Sequence, residues 1–495
     1  MFDGLEGIDG SVLEVAIREH EASRVPRLKR LWSYYRNPEE GARVGGSGWD
    51  GRFRLAQERG LPPRLTGTGG QIGLDDRDRT RREVVIENDI GWRIHTMVDF
   101  MFGRPVQVLS TARDEKLRTV LGRVLDAVWE RSGGISLLQD MALLGHVYGY
   151  VDLVVRVDAR ALTARAGRAV GEDDAGELAD HVRIEVIEPT RGVPILDPSD
   201  YRTLSAYAVR FERELNEVER VSARGIFARR GTRRIGRRRR RSGRTEVVTP
   251  FDRRVYDDGE LVETEALSWT GGVTPVVHVQ NLSQPFRYEG LSEVEPLIAL
   301  QDELNTRLSD RANRVTLQSF KMYLAKGLDG FDRLPVGPGV VWSTDNPDAS
   351  ISEFGGDGSS PSEDAHIEEV REAFDKVSAV PPLAGGVVRA KIGNLSSANA
   401  LKITLMAILS KTSRKRVTYG RGIGEASGLV LGALDALGVM EIAPGDRGVR
   451  LEWADPLPED LREQTQAAKT KVELGVPRER VLSELGYAPT DAGVS

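Results

Sequence analysis

Two different spacings of apolar residues organise this chain. Between residues 291 and 315, Leu297, Leu300, Leu304 and Leu308 recur at intervals of three or four, and Ala312 and Val315 continue the row. That spacing lays one apolar stripe along a helix. Roughly 24 residues at about 1.5 Å each predict a rod of about 36 Å. Ser292 and Glu295 stand at its start with capping-box spacing, in which the serine accepts from the amide three residues on and the glutamate reaches back. After Pro361, the residues Ile367, Val370, Phe374 and Val377 repeat the spacing. They predict a second helix that runs back beside the first. Between the two, residues 336–342 ("VGPGVVW") and 351–354 read as strands punctuated by Gly and Pro. As pattern alone, this is an αα-hairpin carrying a β-insertion.

The flanking segments predict a mixed α+β chain. Residues 11–36 read as an amphipathic helix with Val12, Val15, Leu28, Leu31 and Trp32 on its apolar side, kinked or divided at Pro26. Residues 41–80 are rich in Gly, Arg and Asp and read as a long loop. Residues 84–102 predict a helix stopped at Gly103 and Pro105, and two more follow over 114–130 and 136–144. From there the period shifts to two. Val151, Leu153 and Val155 fall on one face of a strand, and "HVRIEVIEP" and "RTLSAYAVRFERE" read as further strands. Asp258 and Gly259 mark a hairpin turn. Residues 147–280 are therefore mostly antiparallel sheet. Beyond residue 397 a long helix is apolar on one side, and glycines at 420, 422, 424 and 428 would let it bend. Ser396 or Ser397 is placed to cap it. A strand ending at Trp453, a helix over 459–474 closed by Gly475, and a short helix from Pro477 complete the chain.

Composition narrows the function classes. A chain of 495 residues is long enough for two or three domains. Hydrophobic residues make up 40% and charged residues 29%, as in ordinary globular proteins. There is no cysteine, which excludes disulfides, Cys-based zinc sites and thiol catalysis, and an intracellular folding compartment fits. The acidic N-terminus does not read as a secretory signal, and no stretch approaches the ~18 apolar residues of a membrane helix. The net charge of -6 argues against a protein that grips duplex DNA tightly, because such affinity comes from neutralising phosphates. A surface past which DNA must slide is under no such demand.

Charge is concentrated in one run. Arg229, Arg230, Arg233, Arg234, Arg237, Arg238, Arg239, Arg240, Arg241 and Arg244 crowd a short interval without an acid. The plain reading is a solvated, self-repelling loop or hairpin tip, or one that pairs with acids on a neighbouring copy. The alternative is phosphate contact without sequence preference, since no aromatics are interleaved for base stacking.

The stretch "YEGLSEVEPLIALQDELNTRLSDRANRV", the β-bearing insert and the second helix resemble the stem and clip of tailed-phage portal proteins. The same family is suggested by "RVPRLKRLWSYYRN", by the helix from Asn88 ending in "MFGRPV", and by the C-terminal "WADPLPED" and "LGVPRERVLSELGY". The resemblance spans residues 11–487. It rests on element order and these local signatures, and departs from the family in the Arg run and in residues 41–80. It implies an N-terminal and wing region over 1–285, with an Arg-rich loop over 224–245. It further implies stem helices at 286–315 and 362–380, a clip at 316–361, a tunnel loop at 381–397, a long wing helix at 398–450 and a C-terminal crown at 451–495. By the same resemblance the chain is a subunit of a head-to-tail ring of about twelve copies. That ring sits at one capsid vertex of the virion, after assembly in the host cytoplasm. Its implied partners are duplex DNA, the large terminase subunit, a head-tail adaptor, and major capsid and scaffold proteins. Arg389, Lys391 and Lys402 are candidates to face DNA. Lys321, Lys326 and Arg333 are candidates to face the motor or adaptor. Arg237, Arg238, Arg239, Arg240 and Arg241 are candidates for phosphate contact or pairing between subunits. For each basic residue the plain reading is solvation.

No catalytic pattern competes. There is no G-x-x-x-x-G-K-[ST] and no G-x-S-x-G. The six histidines, at 20, 95, 146, 181, 278 and 366, form no H-x-x-x-H, so neither metal nor cofactor is expected. The acidic pairs Asp257-Asp258 and Glu368-Glu369 sit where turns and solvated helix faces sit. The competing reading is a non-enzymatic nucleic-acid-binding protein that uses the Arg run on an unrelated fold. A hydrolase would need an activity with no visible site.

Overall fold

The computed structural model describes residues 9–44, 48–66, 83–200, 202–220, 235–319, 322–326, 347–348, 350–354, 361–386, 398–457, 461–476, 478 and 481. Helices α1 (Gly10–Glu19) and α2 (Val25–Arg36) are joined by a π-turn, His20–Arg24, immediately before Pro26. Proline has no N–H and crowds the preceding turn, and a widened turn absorbs both effects. The division at Pro26 is as expected, but the buried face of α1 is not. Leu13 and Ile17 are buried, whereas Val12 and Val15 are 51% and 60% exposed. The sheet beneath selects that face, through Val193, Ala206, Val247 and Tyr256.

Residues 41–80 also differ from the loop expected. Strands β1 (Glu39–Val44) and β2 (Gly48–Leu55) form an antiparallel hairpin, followed by a 3-10 turn and the short α3 (Pro63–Thr66). Helix α4 (Asp89–Phe102) begins five residues later than predicted, capped by Asn88, whose side chain accepts from the Gly91 N–H at 3.1 Å. Strand β3 (Val106–Ser110), α5 (Glu115–Ser132), α6 (Gly134–Tyr148) and β4 (Tyr150–Val157) follow. The short α7 (Ala159–Thr163) and α8 (Ala175–Ala179) precede β5 (Val182–Ile187) and β6 (Gly192–Leu196). Strands β7 (Leu204–Arg220), β8 (Ile235–Val248), β9 (Asp252–Asp257), β10 (Glu260–Ala266) and β11 (Val276–Gln280) complete the sheet region.

All the strand pairs are antiparallel. A five-stranded sheet runs β10-β9-β8-β7-β6, and a three-stranded one β11-β4-β5. The predicted turn joins β9 to β10, with Asp258 and Gly259 both at positive φ (51° and 89°), as a type I′ hairpin requires. Strand β4 was expected to bury one face. It buries both, since Val154 is as inaccessible as Val151, Leu153 and Val155, because β4 is the central strand and is covered on each side. The run Arg237 to Arg241 lies on strand β8, not in a loop. Its backbone pairs in order with Val218, Glu217, Asn216, Leu215 and Glu214 of β7. Among the described residues, beyond the reach of β6 and β9, strands β7 and β8 pair only with each other.

The chain then enters α9 (Ile298–Ser319), the strand pair β12 (Met322–Lys326) and β13 (Ser350–Phe354), and α10 (Pro361–Ser378). The strand expected over 336–342 lies outside the described residues. Helices α11 (Ala398–Thr404) and α12 (Met406–Ala436) meet at Leu405. Helix α12 is one run of 31 residues, and its glycines serve packing, not bending. A Cβ on Gly422 would lie 2.3 Å from Val279 Cγ2, so only glycine lets α12 rest against β11 there. Strand β14 (Val449–Trp453) ends at the tryptophan, as predicted, and pairs with β3. Helix α13 (Leu461–Glu473) is closed by Gly475 at φ 90°. Of the helix expected from Pro477, Arg478 and Val481 are among the described residues, and both are helical.

Candidate stem and nucleic-acid interface

Helices α9 and α10 pack antiparallel through the predicted stripes. Leu297, Leu304, Ile367, Val370 and Phe374 are buried in one cluster, with Leu300 and Leu308 at its margin. The ends of both rows differ from expectation. Val315 is 46% exposed because α10 has barely begun at that level, where Glu363 pairs with Arg314. Val377 is 45% exposed because the inward position after Phe374 is Ser378. Charged pairs lace the two helices along one side, with Arg311–Asp364 at 3.2 Å and His366–Glu303 at 2.9 Å.

The opposite edge of α9 carries a polar row that the apolar periodicity conceals. Gln301, Asn305, Ser309 and Asn313 recur every four residues, and residues 83–88 run extended along them. The Asn313 amide accepts from the Glu83 N–H at 2.9 Å and donates to the Glu83 carbonyl at 2.8 Å. Ser309 Oγ accepts from Val85 N–H and Asn305 Oδ1 from Glu87 N–H, both at 3.0 Å. Gln301 donates to the Glu87 carbonyl and accepts from Ile90 N–H at 3.2 Å. The match is metric. Four helical residues advance about 6 Å and two extended residues about 6.6 Å, so every second strap residue meets one rung. Fully buried Gln57 ties the strap to α2, donating to the Tyr34 carbonyl at 2.7 Å and to Asn88 Oδ1 at 2.8 Å, and accepting from Asn305 at 3.0 Å.

The near end of the stem is held by buried charge. Ser292 Oγ accepts from the Glu295 N–H at 3.2 Å, which is one half of the expected capping box. The other half is absent, because Glu295 instead receives two bonds from Arg27, at 2.7 and 3.0 Å. Glu293 is buried between Lys411 Nζ (2.5 Å) and Lys415 Nζ (2.8 Å) of α12. Lys411 also donates to the Ser378 carbonyl at the end of α10, at 2.8 Å. Arg93 of α4 reaches the same end through Ser378 Oγ (3.0 Å), the Val380 carbonyl and Asp375 (2.7 Å). Both stem helices are thus clamped to α12 and α4. Burial alone would raise the Glu293 carboxyl, but Lys415 and Lys411 outweigh it and hold it at about 2. Burial pulls the Lys415 ammonium down to about 8 against the attraction of Glu293. His146, nearby, is pushed far below its usual value by burial and by Lys415, and is neutral.

Only some of the predicted site residues are among the described ones. Arg389, Lys391, Lys321 and Arg333 lie outside the described residues. Lys402 is exposed on α11, beside the near end of the stem, where Leu401 and Leu405 join the Leu297 cluster. Lys326 is exposed at the end of β12, beyond the far end of a helix of 22 residues, about 33 Å away along the rod. Arg237 to Arg241 are backbone-paired on β8. Among the described residues no cluster of His, Cys, Asp or Glu is placed to hold a metal, and no helix is long and apolar enough to cross a membrane. What sequence reasoning missed is the anchoring. Lys411, Lys415 and Glu293 read as surface charges in a linear scan. The available clue was that Lys411 and Lys415 fall on the row of Ile408, Tyr419 and Ile423, the apolar side of the helix.

A comparison with curated proteins finds no match. Among solved structures, the neck of an empty GTA particle computed with C6 symmetry aligns at TM-score 0.46 and 14% identity, over 80% of this chain and 89% of that one. The virion of a native gene transfer agent particle aligns at TM-score 0.41 and 12% identity, over 86% and 98%. A family model described as phage portal protein, SPP1 Gp6-like, matches residues 16–487, nearly the whole chain. With that span and the α9–α10 stem it contains, the chain belongs to the SPP1 Gp6-like phage portal proteins.

Proposed function

We propose that this portal protein assembles as a head-to-tail ring at one capsid vertex, with the α9–α10 rods framing a channel for duplex DNA. The observation that carries the reading is the stem itself, an antiparallel helix pair clamped at its base by buried charge and ending in the small β12–β13 sheet. Such a rod is stiff enough to hold a pore open, and its far end is a docking knob. The tunnel loop at 381–397, with Arg389 and Lys391, is the segment that touches DNA in passing. Lys402 stands next to them in sequence. The insert with Lys321, Lys326 and Arg333 is the face for the terminase motor and the head-tail adaptor. The ring itself performs no chemistry, and capsid and scaffold proteins surround it.

The test is mass in solution with negative-stain imaging. About twelve copies of a 54.5 kDa chain give an annular particle of roughly 650 kDa. A monomer whose DNA affinity collapses on deleting the Arg run would overturn the ring and favour a nucleic-acid-binding protein of another kind.

A further inference from the structure

Two surfaces in the wing are complementary, and both are largely exposed. The first is a cleft of about 550 Å³ between α5 and the β3–β14 pair. Half-buried Leu109 is its apolar wall, beside the buried core residue Val108, and Arg118, Arg123 and Arg450 stand around it, against Asp126 as the one acid among the lining residues. These arginines are weakly engaged. Arg118 reaches only the Ala112 carbonyl at 3.4 Å, and Arg123 meets Glu172 at 3.5 Å. Arg450 pairs with its own strand neighbour Glu452 at 2.8 Å, both more than half exposed. The cleft also presents a strand edge. Thr111 N–H donates to the Gly448 carbonyl at 3.0 Å, so Leu109 and Gln107 also turn their backbone groups toward β14. By alternation, Val108 and Ser110 turn theirs away from β14.

The second surface is β10, the outermost strand of the five-stranded sheet. Its pairing with β9 slips between Leu261 and Glu263, leaving Val262 at a bulge. Leu261 and Val262 are 51% and 54% exposed, an apolar knob. Glu260, Glu263 and Glu265 flank it, and Arg253 alone bridges the last two, at 2.9 and 3.3 Å. An exposed apolar pair on an unpaired edge strand is an association surface unless something covers it.

We infer that the β10 knob of one copy seats in the α5–β3 cleft of its neighbour, as a head-to-tail contact that closes the ring. The inference rests on the ring reading above. Different patches of one chain meet, as a heterologous interface requires. Glu260, Glu263 and Glu265, the last two also held by Arg253, are set against Arg118, Arg123 and Arg450, and the two aliphatic side chains against Leu109. Charge of this kind sets register and partner choice more than raw affinity.

The chain has no cysteine, so a crosslink reads one contact cleanly. Gly122 lines the cleft, and a Cβ there meets nothing within 4 Å, so Gly122→Cys is accommodated. Combined with Val262→Cys and treated with a short bis-maleimide, assembled particles should lose most of the monomer band to a ladder of dimer and higher multiples. Each single variant should stay monomeric on the same gel. Arg118→Cys with Leu261→Cys, two exposed positions, repeats the test where the first pair folds poorly. Arg118→Glu with Arg450→Glu should weaken assembly, and Glu260→Arg in the same chain should restore part of it. Rings seen by microscopy with no ladder from either pair overturn this contact and leave the ring standing. Intramolecular crosslinking overturns it too. No annular particle from the unmodified chain sinks the ring reading and this contact together.

Discussion

Glu293 shows how one carboxylate holds an assembly of helices. It is buried, it faces two ammonium groups of α12, and it follows directly on the serine that begins the stem. Removing one partner of a buried pair leaves charge uncompensated, which costs about 3–5 kcal/mol. Glu293→Gln strands two buried cations, so denaturant unfolding should show a loss of that size. The pH dependence has a definite sign. The carboxyl's folded value, about 2, lies below its ordinary 4.5. Its contribution is therefore full above pH 4.5 and is lost as pH falls from 4.5 toward 2. The gap in stability between the parent chain and Glu293→Gln should shrink over that window, be widest between pH 4.5 and neutrality, and narrow again as pH rises through about 8, where Lys415 loses its proton. A gap independent of pH would show that the carboxylate is not ionised in the fold. Asp152 does similar work in the wing, where it is fully buried and accepts from Tyr207 (2.8 Å), Tyr288 (2.7 Å) and His278 (2.7 Å). It joins three strands to the segment leading into the stem.

At the scale of elements, the stem was legible because it is local. Leu297, Leu304, Ile367, Val370 and Phe374 announce their helices through spacing alone, and the Asp258-Gly259 turn announces its hairpin. What was not legible depends on partners distant in sequence. The extended strap at 83–88 reads as the start of a helix, yet Glu87 bonds Asn305, 218 residues away, and the side-chain ladder outcompetes the helical bonds those residues would make. The choice of Leu13 and Ile17 over Val12 and Val15 was set by a sheet formed two hundred residues later. The glycines of α12 looked like hinges because the close approach of Val279 is invisible in one dimension. The ladder itself is testable. Asn305→Ala leaves the Glu87 N–H and the buried Gln57 carbonyl oxygen without partners, which should cost about 1–3 kcal/mol. Amide exchange at residues 83–90 should accelerate more than in α9 as a whole. Exchange rising equally across α9 would mean that the strap does not behave as a separate clamp.

For the whole molecule, the question is how a conduit handles a polyanion without holding it. The chain carries a net charge of -6, so any ring of it repels duplex DNA on average, and contact falls to isolated cations at the bore. Buried charges such as Lys411 and Lys415 are spent on the frame and cannot serve. Arg389 and Lys391, in the glycine-bearing stretch between the second stem helix and α11, are set apart from that frame in sequence. Each phosphate contact adds a salt-dependent increment of affinity, so in the proposed channel two such cations per copy would brake DNA without anchoring it. Arg389→Ala with Lys391→Ala should therefore leave particle mass and annular images unchanged. DNA packaged or retained per particle should fall, and the deficit should narrow as ionic strength rises, because screening weakens the same two contacts in the parent chain. Loss of the annular particle in the double variant would assign those residues to the frame, and the passing contact with DNA would have to be sought on another surface.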